Sequence, residues 1–236
     1  MAGGKQTPRQ KMVNLMYLVF IAMMALNMSK EVLSAFGLMN EQFESSNVMV
    51  SKGNDDLYKA LDKKASEDAN FKSAMVIANK VKMVSADFYA YLETLKKDVT
   101  KEIELVNGKL PYEQMDKGDK IDEKWFNGDG YSKDGQAVVD AISKYKADMK
   151  AAIGTDVKYT NILSELESKF STADVIDREG VKKKYLDYHY KGFPAIASLT
   201  KLSAMQNNVE VMETNIYNYQ VVSQTIPASS YFDDTF

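Results

Sequence analysis

The first apolar segment of the chain extends over residues 12–29 and contains no charged residue. A helix of this length is about 27 Å long, close to the roughly 30 Å thickness of the hydrocarbon core of a membrane. Apolar residues then continue at steps of three or four, at Val32, Phe36, Met39 and Phe43. The pattern predicts a single transmembrane helix that continues without interruption into the segment that follows.

A helix-start signal precedes the apolar segment. Thr7 can cap the first free N–H groups, Pro8 suits the first helical position, and Gln10 can reach back to the capping residue. We therefore expect an N-terminal segment over residues 1–7 and a transmembrane helix over residues 8–30.

The charges around this helix predict its orientation. Lys5, Arg9 and Lys11 are the only charged residues among the first eleven, whereas charges of both signs follow from Lys30 onward. Cations stay on the cytoplasmic side, so the N-terminus is predicted to be cytoplasmic and the bulk of the chain to lie outside. The alternative is a cleaved signal peptide, which has a shorter apolar core of roughly 7 to 15 residues and a small-residue cleavage site. The chain has no such site before Lys30.

Beyond residue 30, apolar positions recur at helical spacing in several stretches, which predicts one helix after another. The stretches include Leu57 to Ala65, Ala74 to Val106, Val138 to Ala152, Asn161 to Phe170, and Ile196 to Tyr219. Asn107-Gly108 is expected to end the second stretch, and Pro194 to open the last. Four principal amphipathic helices must bury their apolar stripes against one another. The prediction is an all-α protein in which residues 31–226 form an up-and-down helical bundle.

Two segments lack helical spacing. Residues 107–135 contain Pro111 and five glycines, which predicts a long surface connection with a turn at Asp129-Gly130. Residues 227–236 are interpreted as a linker or an added tail.

Composition narrows the possible chemistry. The 236-residue chain has no cysteine and one histidine, which excludes thiol nucleophiles and multi-histidine metal sites. A net charge of −3 argues against nucleic acid as the main partner. Since no nucleophile, base or ligand constellation stands out, we expect no enzyme activity, no metal and no cofactor.

Specific short motifs occur near both ends of the chain. The N-terminal motifs are Gly3-Gly4-Lys5, Pro8-Arg9-Gln10-Lys11-Met12, Asn14-Leu15-Met16-Tyr17-Leu18, Ala25-Leu26-Asn27 and Ser29-Lys30-Glu31-Val32. The C-terminal ones lie between Pro194 and Glu213 and are Leu199, Leu202-Ser203, Gln206-Asn207 and Val209. Together they resemble the N-terminal part of the GldM/PorM family in its Flavobacterium-like form, over essentially the whole chain.

This resemblance implies a subunit of the gliding-motility and type 9 protein secretion machinery of Bacteroidota. Such a subunit is a homodimer in the bacterial inner membrane, and its membrane helices sit inside a ring of a two-helix partner, GldL or PorL. The complex is taken to be a motor driven by the proton motive force. Its periplasmic part passes motion to outer-membrane-associated secretion components.

Arg9 is the principal candidate site residue. The apolar segment contains no acid, so a proton-carrying carboxylate must come from the partner, and this chain supplies counter-charge and hydrogen bonds. A guanidinium stays protonated and can bind a carboxylate in bidentate fashion, which lowers the carboxylate pKa until movement separates the two groups. The alternative is a topology determinant among the lipid head groups. The family resemblance favours the functional role.

Asn14, Tyr17 and Asn27 are polar residues within the apolar segment. Unpaired polar groups are costly in lipid, so each is expected to face protein or water. Asn27 lies five helical turns after Arg9 and shares its face. Their simplest role is hydrogen bonding between helices, and the alternative for Tyr17 is a contact with the partner's carboxylate.

Two other classes of protein share parts of this layout. A bitopic periplasmic helical-bundle sensor or scaffold also joins a membrane helix to a bundle. A sensor of this kind needs a second span leading to a cytoplasmic output domain, and none follows residue 30. An enzyme tethered by its N-terminus lacks any supporting constellation of residues.

Overall fold

The computed structural model describes residues 7–26 and 30–225. The predicted uninterrupted passage from the first helix to the next falls on residues 27–29, outside the described residues. The segment over residues 1–6 and the tail over residues 227–236 also lie outside them.

Helix α1, Pro8–Leu26, begins at the predicted residue. The Gln10 N–H donates a hydrogen bond to the Thr7 hydroxyl at 3.4 Å, which confirms the predicted cap. Within the described part of the chain, no helix combines the length and the apolarity that a bilayer span requires. The transmembrane helix over residues 8–30 therefore remains a prediction.

Seven α-helices follow α1 in the described part of the chain, which confirms the all-α class. They are α2 Lys30–Glu67, α3 Phe71–Thr100, α4 Asp119–Trp125, α5 Lys133–Ile153, α6 Thr160–Lys169, α7 Tyr185–His189 and α8 Ala195–Thr225. Two antiparallel hairpins of two-residue strands join them, β1 Phe126–Asn127 with β2 Gly130–Tyr131 and β3 Val175–Ile176 with β4 Lys182–Lys183. The Gly154 C-cap, at φ 89°, ends α5 where its sequence pattern ends.

The main helices α2, α3, α5, α6 and α8 form an up-and-down bundle. Helix α3 runs antiparallel to α2, because Asp55 pairs with Lys82 and the earlier Glu44 pairs with the later Lys96. Helices α5 and α6 form the third and fourth legs, and α6 packs against both α5 and α8. The fifth leg is α8.

Helix α8 runs parallel to α2 instead of antiparallel to it. Hydrogen bonds join Asn40 to Ser203 and Asn54 to Thr214, so the two helices advance together. The reason is the short helix α6, which adds a fifth main helix to the four principal helices predicted from the sequence. When an odd number of helices alternate in direction, the first and the last are parallel.

Helix α8 is also the central helix of the bundle. After its first residue, Ala195, come five buried residues in succession, Ile196 to Thr200, which cover every side of the helix. The prediction of a single apolar stripe was too narrow. Where its neighbours enclose it, as over residues 196–200, the helix has no solvent face to keep polar.

Helix α3 ends at Thr100, six residues before the predicted end at Val106. Asn107 and Gly108 both have positive φ and form a tight turn in which Val106 and Lys109 exchange two backbone hydrogen bonds. This turn needs an extended chain on each side, so it is incompatible with a helix that reaches Val106. The Asn-Gly pair therefore forms a hairpin turn here instead of a helix cap.

The connection over residues 107–135 is more than a surface loop. Its residues Met115, Ile121, Trp125 and Phe126 are buried in the core. The prediction of an all-surface segment was wrong because it rested on the proline and the glycines and overlooked Ile121 and Trp125, which are four residues apart on one face of the short helix α4. A turn does join β1 and β2, but its residues are Gly128-Asp129, one residue before the predicted Asp129-Gly130, because Gly130 belongs to β2 and pairs with Asn127.

Candidate functional site

The predicted site residues Arg9, Asn14 and Tyr17 lie on α1 with exposed side chains, and Asn27 lies outside the described residues. The apolar side chains of α1 are exposed too: between Met12 and Ile21 they are 46% to 68% accessible. A contiguous apolar surface of this kind marks contact with a membrane or another protein. The partners expected for Arg9, Asn14 and Tyr17 stay predictions.

The beginning of α2 is clamped to the segment before α4. Lys30 pairs with Glu113 at 3.5 Å, and the Tyr112 hydroxyl donates to Glu41 at 2.9 Å. Burial, together with the hydrogen bond to Glu41, raises the pKa of Tyr112 to about 12, so the phenol keeps its proton at neutral pH. The Tyr112 ring lies against Gly37, where an added Cβ would be 2.1 Å from the ring. These contacts hold the beginning of α2 in place against the segment before α4.

A ladder of buried asparagines occupies the seam between α2 and α8. Asn40, Asn47 and Asn54 are spaced by seven residues, and buried Leu33 and Leu61 continue the same spacing at either end. Residues seven apart lie on one face of a helix, two turns from each other. The seam between α2 and α8 is therefore apolar at its ends and polar along its middle.

Every asparagine of the ladder bonds to a group on α8. Asn47 donates to the Ser203 carbonyl at 3.1 Å and accepts from the Asn207 amide at 2.9 Å. Asn54 donates to Glu210, at 2.9 Å to both its carbonyl and its carboxylate, and accepts from the Thr214 hydroxyl at 2.6 Å. The Ser203 hydroxyl lies 2.8 Å from the Asn40 Oδ1.

Lys96 links the third helix to this seam. It is 7% exposed, although it carries a charge. Its ammonium bonds to Glu44 on α2, lies 3.3 Å from Glu93 and donates to the Gln206 side chain on α8 at 2.8 Å. A buried lysine is tolerated because several acceptors replace its water. One side chain thus ties α2, α3 and α8 together.

The ladder and Lys96 set the register of the three helices. Hydrogen bonds are directional and weaken steeply when donor and acceptor move out of line. A polar residue at a core position of a helix pair likewise specifies register. Sliding α2 along α8 by one residue, about 1.5 Å, would misalign the whole ladder. The role of this site is therefore mechanical, because it resists sliding and twisting of α2, α3 and α8 against one another.

Sequence reasoning missed this seam because it followed apolar positions only. The signal was present as asparagines at a spacing of seven, framed by Leu33 and Leu61. Their partners on α8, such as Ser203, are about 160 residues away in the sequence, and no local pattern connects the two sets.

Comparisons with known proteins give one clear result. The sequence model of the GldM N-terminal domain matches residues 31–222, which include α2 from its second residue, α3 to α7, and all but the end of α8. A search of curated proteins found no match for the chain.

Proposed function

The chain belongs to the GldM N-terminal domain family, which relates it to gliding motility and type 9 secretion, and from this premise we propose that it is an inner-membrane motor subunit. In this proposal residues 8–30 cross the membrane once, the N-terminus is cytoplasmic and the bundle is periplasmic. A ring of a two-helix GldL/PorL-like protein surrounds the membrane helices of a homodimer. The proton motive force moves this assembly, and the bundle transmits the motion toward outer-membrane-associated secretion components.

The register-locked pair of α2 and α8 carries the proposal. Helix α2 has 38 residues, a rod about 57 Å long. Hydrogen bonds hold it to the parallel helix α8 from Phe36, whose carbonyl accepts from Thr200 at 3.0 Å, to Asn54. A helix that is held to its neighbour between Phe36 and Asn54 can transmit torque, whereas a flexible link would dissipate it.

The exposed apolar surface of α1 supports the membrane position. Lipid or partner helices would cover side chains that are otherwise in water, and Lys5, Arg9 and Lys11 flank them on the predicted cytoplasmic side. One charge that crosses 100 mV releases about 2.3 kcal/mol, enough to bias a rigid-body step. Arg9 supplies the counter-charge to a partner carboxylate, and Asn14, Tyr17 and Asn27 supply polar contacts within the membrane.

The first experiment tests Arg9 in cells that express the chain with its two-helix partner. We expect Arg9→Ala to abolish gliding and secretion while the two proteins still co-purify. Arg9→Lys should retain part of the function, because it keeps the charge but loses the bidentate fork. Lys11→Ala is the matched control and should leave motility intact. Normal motility of Arg9→Ala would refute the counter-charge role, and loss of co-purification would make Arg9 structural.

A second experiment tests mechanical coupling. A Gly-Gly-Ser insertion after residue 28 should uncouple α1 from α2, so motility stops while the bundle folds and the partner still co-purifies. The same insertion after Gly180, in the exposed turn between β3 and β4, is the control. Motility that survives the first insertion would favour the alternative, a bitopic sensor or scaffold that needs no torque.

A further inference from the structure

A groove of about 600 Å³ opens between α2 and α3, and α8 forms its floor. Small residues, among them Ser51, Ala86 and Ala90, line its walls and leave the space between the two helices. The ion pair between Asp55 and Lys82, at 2.9 Å, lies at its rim. The volume is within the range of sites that hold small ligands.

Two carboxylates form the floor of the groove. Glu210 and Glu213 are each 8% exposed, and burial raises the pKa of both. Two lysines and four carboxylates line the whole groove, so its lining is net negative. Lys82 opposes the pKa rise of Glu213, but its ammonium bonds to Asp55 on the rim. Burial thus opposes ionisation of both floor carboxyls, and a positive charge placed beside them would favour their ionised forms.

Two buried hydroxyl groups lie beside Glu213. The Ser85 hydroxyl lines the groove, is buried, and has no hydrogen-bond partner among the described residues. The Tyr217 hydroxyl lies beside Glu213, and burial together with this carboxylate raises the pKa of Tyr217. Each hydroxyl can donate its hydrogen to the Glu213 carboxylate, which opposes the rise in the Glu213 pKa, and its oxygen keeps lone pairs that can accept another hydrogen bond.

An aromatic wall completes the groove. Tyr89 is half-buried and lines it, and burial with the nearby Glu210 carboxylate raises the Tyr89 pKa to about 12. The phenol is therefore neutral at physiological pH, and its ring can cover the apolar stem or the charged face of a cation. Among the described residues there is no cluster of three ligands for a metal ion. Carboxylates, a hydroxyl and a ring suit an organic cation.

We propose that the groove between α2 and α3 binds an organic cation, a guanidinium or primary ammonium group on an extended chain. Glu210 and Glu213 neutralise its charge, Ser85 accepts one of its N–H groups, and Tyr89 covers its stem. The site lies wholly in the bundle, so it does not depend on whether α1 crosses a membrane.

Calorimetric titration of the purified full chain in detergent tests this site. The probe is butylguanidinium, and butylurea is its uncharged counterpart of the same shape. We expect butylguanidinium to bind and butylurea not to bind. Glu213→Gln should weaken binding at least about tenfold, since a charge-assisted pair is lost. Ala86→Leu, which fills the groove from its exposed wall without a change of charge, should weaken binding as strongly.

Glu165→Gln is the matched control, because Glu165 pairs with Lys169 and Asn215 outside the groove. It should leave the affinity unchanged, and circular dichroism melting checks the fold of each variant. Ala86→Leu keeps the test decisive if Glu213→Gln does not fold. No binding of butylguanidinium up to ~10 mM, equal binding of butylurea, or affinity insensitive to both groove variants would overturn the proposal.

The same titration identifies the source of the cation. The peptide acetyl-Ala-Arg-Ala-amide is compared with its citrulline analogue. Affinity well above that of butylguanidinium, lost in the citrulline peptide, indicates an arginine side chain of a partner protein. Equal affinity of the arginine peptide and butylguanidinium indicates a free small cation.

Discussion

The seam between α2 and α8 and the aromatic cluster among α3, α5 and α6 hold helices together by different means. In the cluster, the Tyr145 ring lies 4.6 Å from the Phe88 ring and 4.7 Å from the Phe170 ring, centroid to centroid. In the seam, asparagine amides meet carbonyl, carboxylate and hydroxyl groups on the neighbouring helix. Apolar rings gain free energy from buried area and tolerate small rotations, whereas amides demand alignment.

The difference separates stability from geometry. A buried hydrogen bond contributes only about 0.5 to 1.5 kcal/mol net, so the ladder is a poor source of free energy for its size. However, any arrangement of the helices that leaves these buried polar groups unpaired is higher in free energy. We infer that the aromatic cluster holds the bundle folded, while the polar seam selects one arrangement of α2 and α8.

Removal of a ring from the aromatic cluster should have the largest effect. Phe170 is 1% exposed, and Phe170→Ala removes its contacts with Phe88 and Tyr145. We expect the free energy of unfolding to fall by about 3 to 5 kcal/mol, measured by urea denaturation with circular dichroism. Val157→Ala, at an exposed position, should change it by less than about 0.5 kcal/mol. A loss below about 1 kcal/mol for Phe170→Ala would contradict the role given to the cluster.

Removal of the buried cation from the seam should rank second. Lys96→Met keeps the length of the side chain but leaves Glu44 and Glu93 without their ammonium. Both carboxylates are about two-fifths exposed and can recover water, so we expect a loss of about 2 to 3 kcal/mol, less than for a fully buried pair. The neighbouring exposed residue provides the control Lys97→Met, which should be nearly neutral. Equal stability of the two variants would show that the pairing of Lys96 is unimportant.

A single break in the asparagine ladder should cost less again. Asn47→Ala leaves the Ser203 carbonyl and the Asn207 amide short of a partner, which predicts a loss of about 1 to 2 kcal/mol in the same denaturation assay. Asn218→Ala, on an exposed face of α8, is the matched control and should stay within about 0.5 kcal/mol. If Asn47→Ala is as mild as its control, water substitutes for the ladder.

The smallest effect should be a change in the pH dependence of stability. Burial raises the pKa of Glu213, so the folded state holds this proton more tightly than the unfolded state does. The corresponding stabilisation is present below the unfolded glutamate pKa, near ~4.3, and is lost as pH rises through the raised folded value. Glu213→Gln should flatten this fall, as measured by the melting temperature from pH 4 upward. Glu179→Gln, in an exposed turn, is the control, and identical profiles for Glu213→Gln and the unmodified chain would contradict the assignment.

The sequence predicted elements better than it predicted contacts. It placed the start of α1 at Pro8, the end of α5 at Gly154 and the helix near Asn161, because caps and periodicity depend on residues within about four positions. It failed at Asn107-Gly108, because an Asn-Gly pair can either end a helix or form a hairpin turn. It also failed for the first part of α8, whose burial on all sides depends on neighbouring helices.

The residues of the candidate site also fall into two groups, those that the sequence predicts and those that depend on contacts between helices. The exposure of Arg9 and Tyr17 follows from α1 itself, whereas the asparagine ladder and the groove carboxylates required partners on other helices. Ser203 and Glu210 appear as ordinary polar residues in α8 until α2 is placed beside them.

The amino-acid sequence by itself determined the helical class, most helix boundaries, the apolar first helix with its cations, and the family to which the chain belongs. The tertiary structure decided that α8 is central, that it runs parallel to α2, and that three asparagines lock the two in register. The physical reason is range: turns and caps are settled by neighbours along the chain, while the pairing of buried polar groups is settled by residues about 160 positions apart, brought together only when the bundle closes.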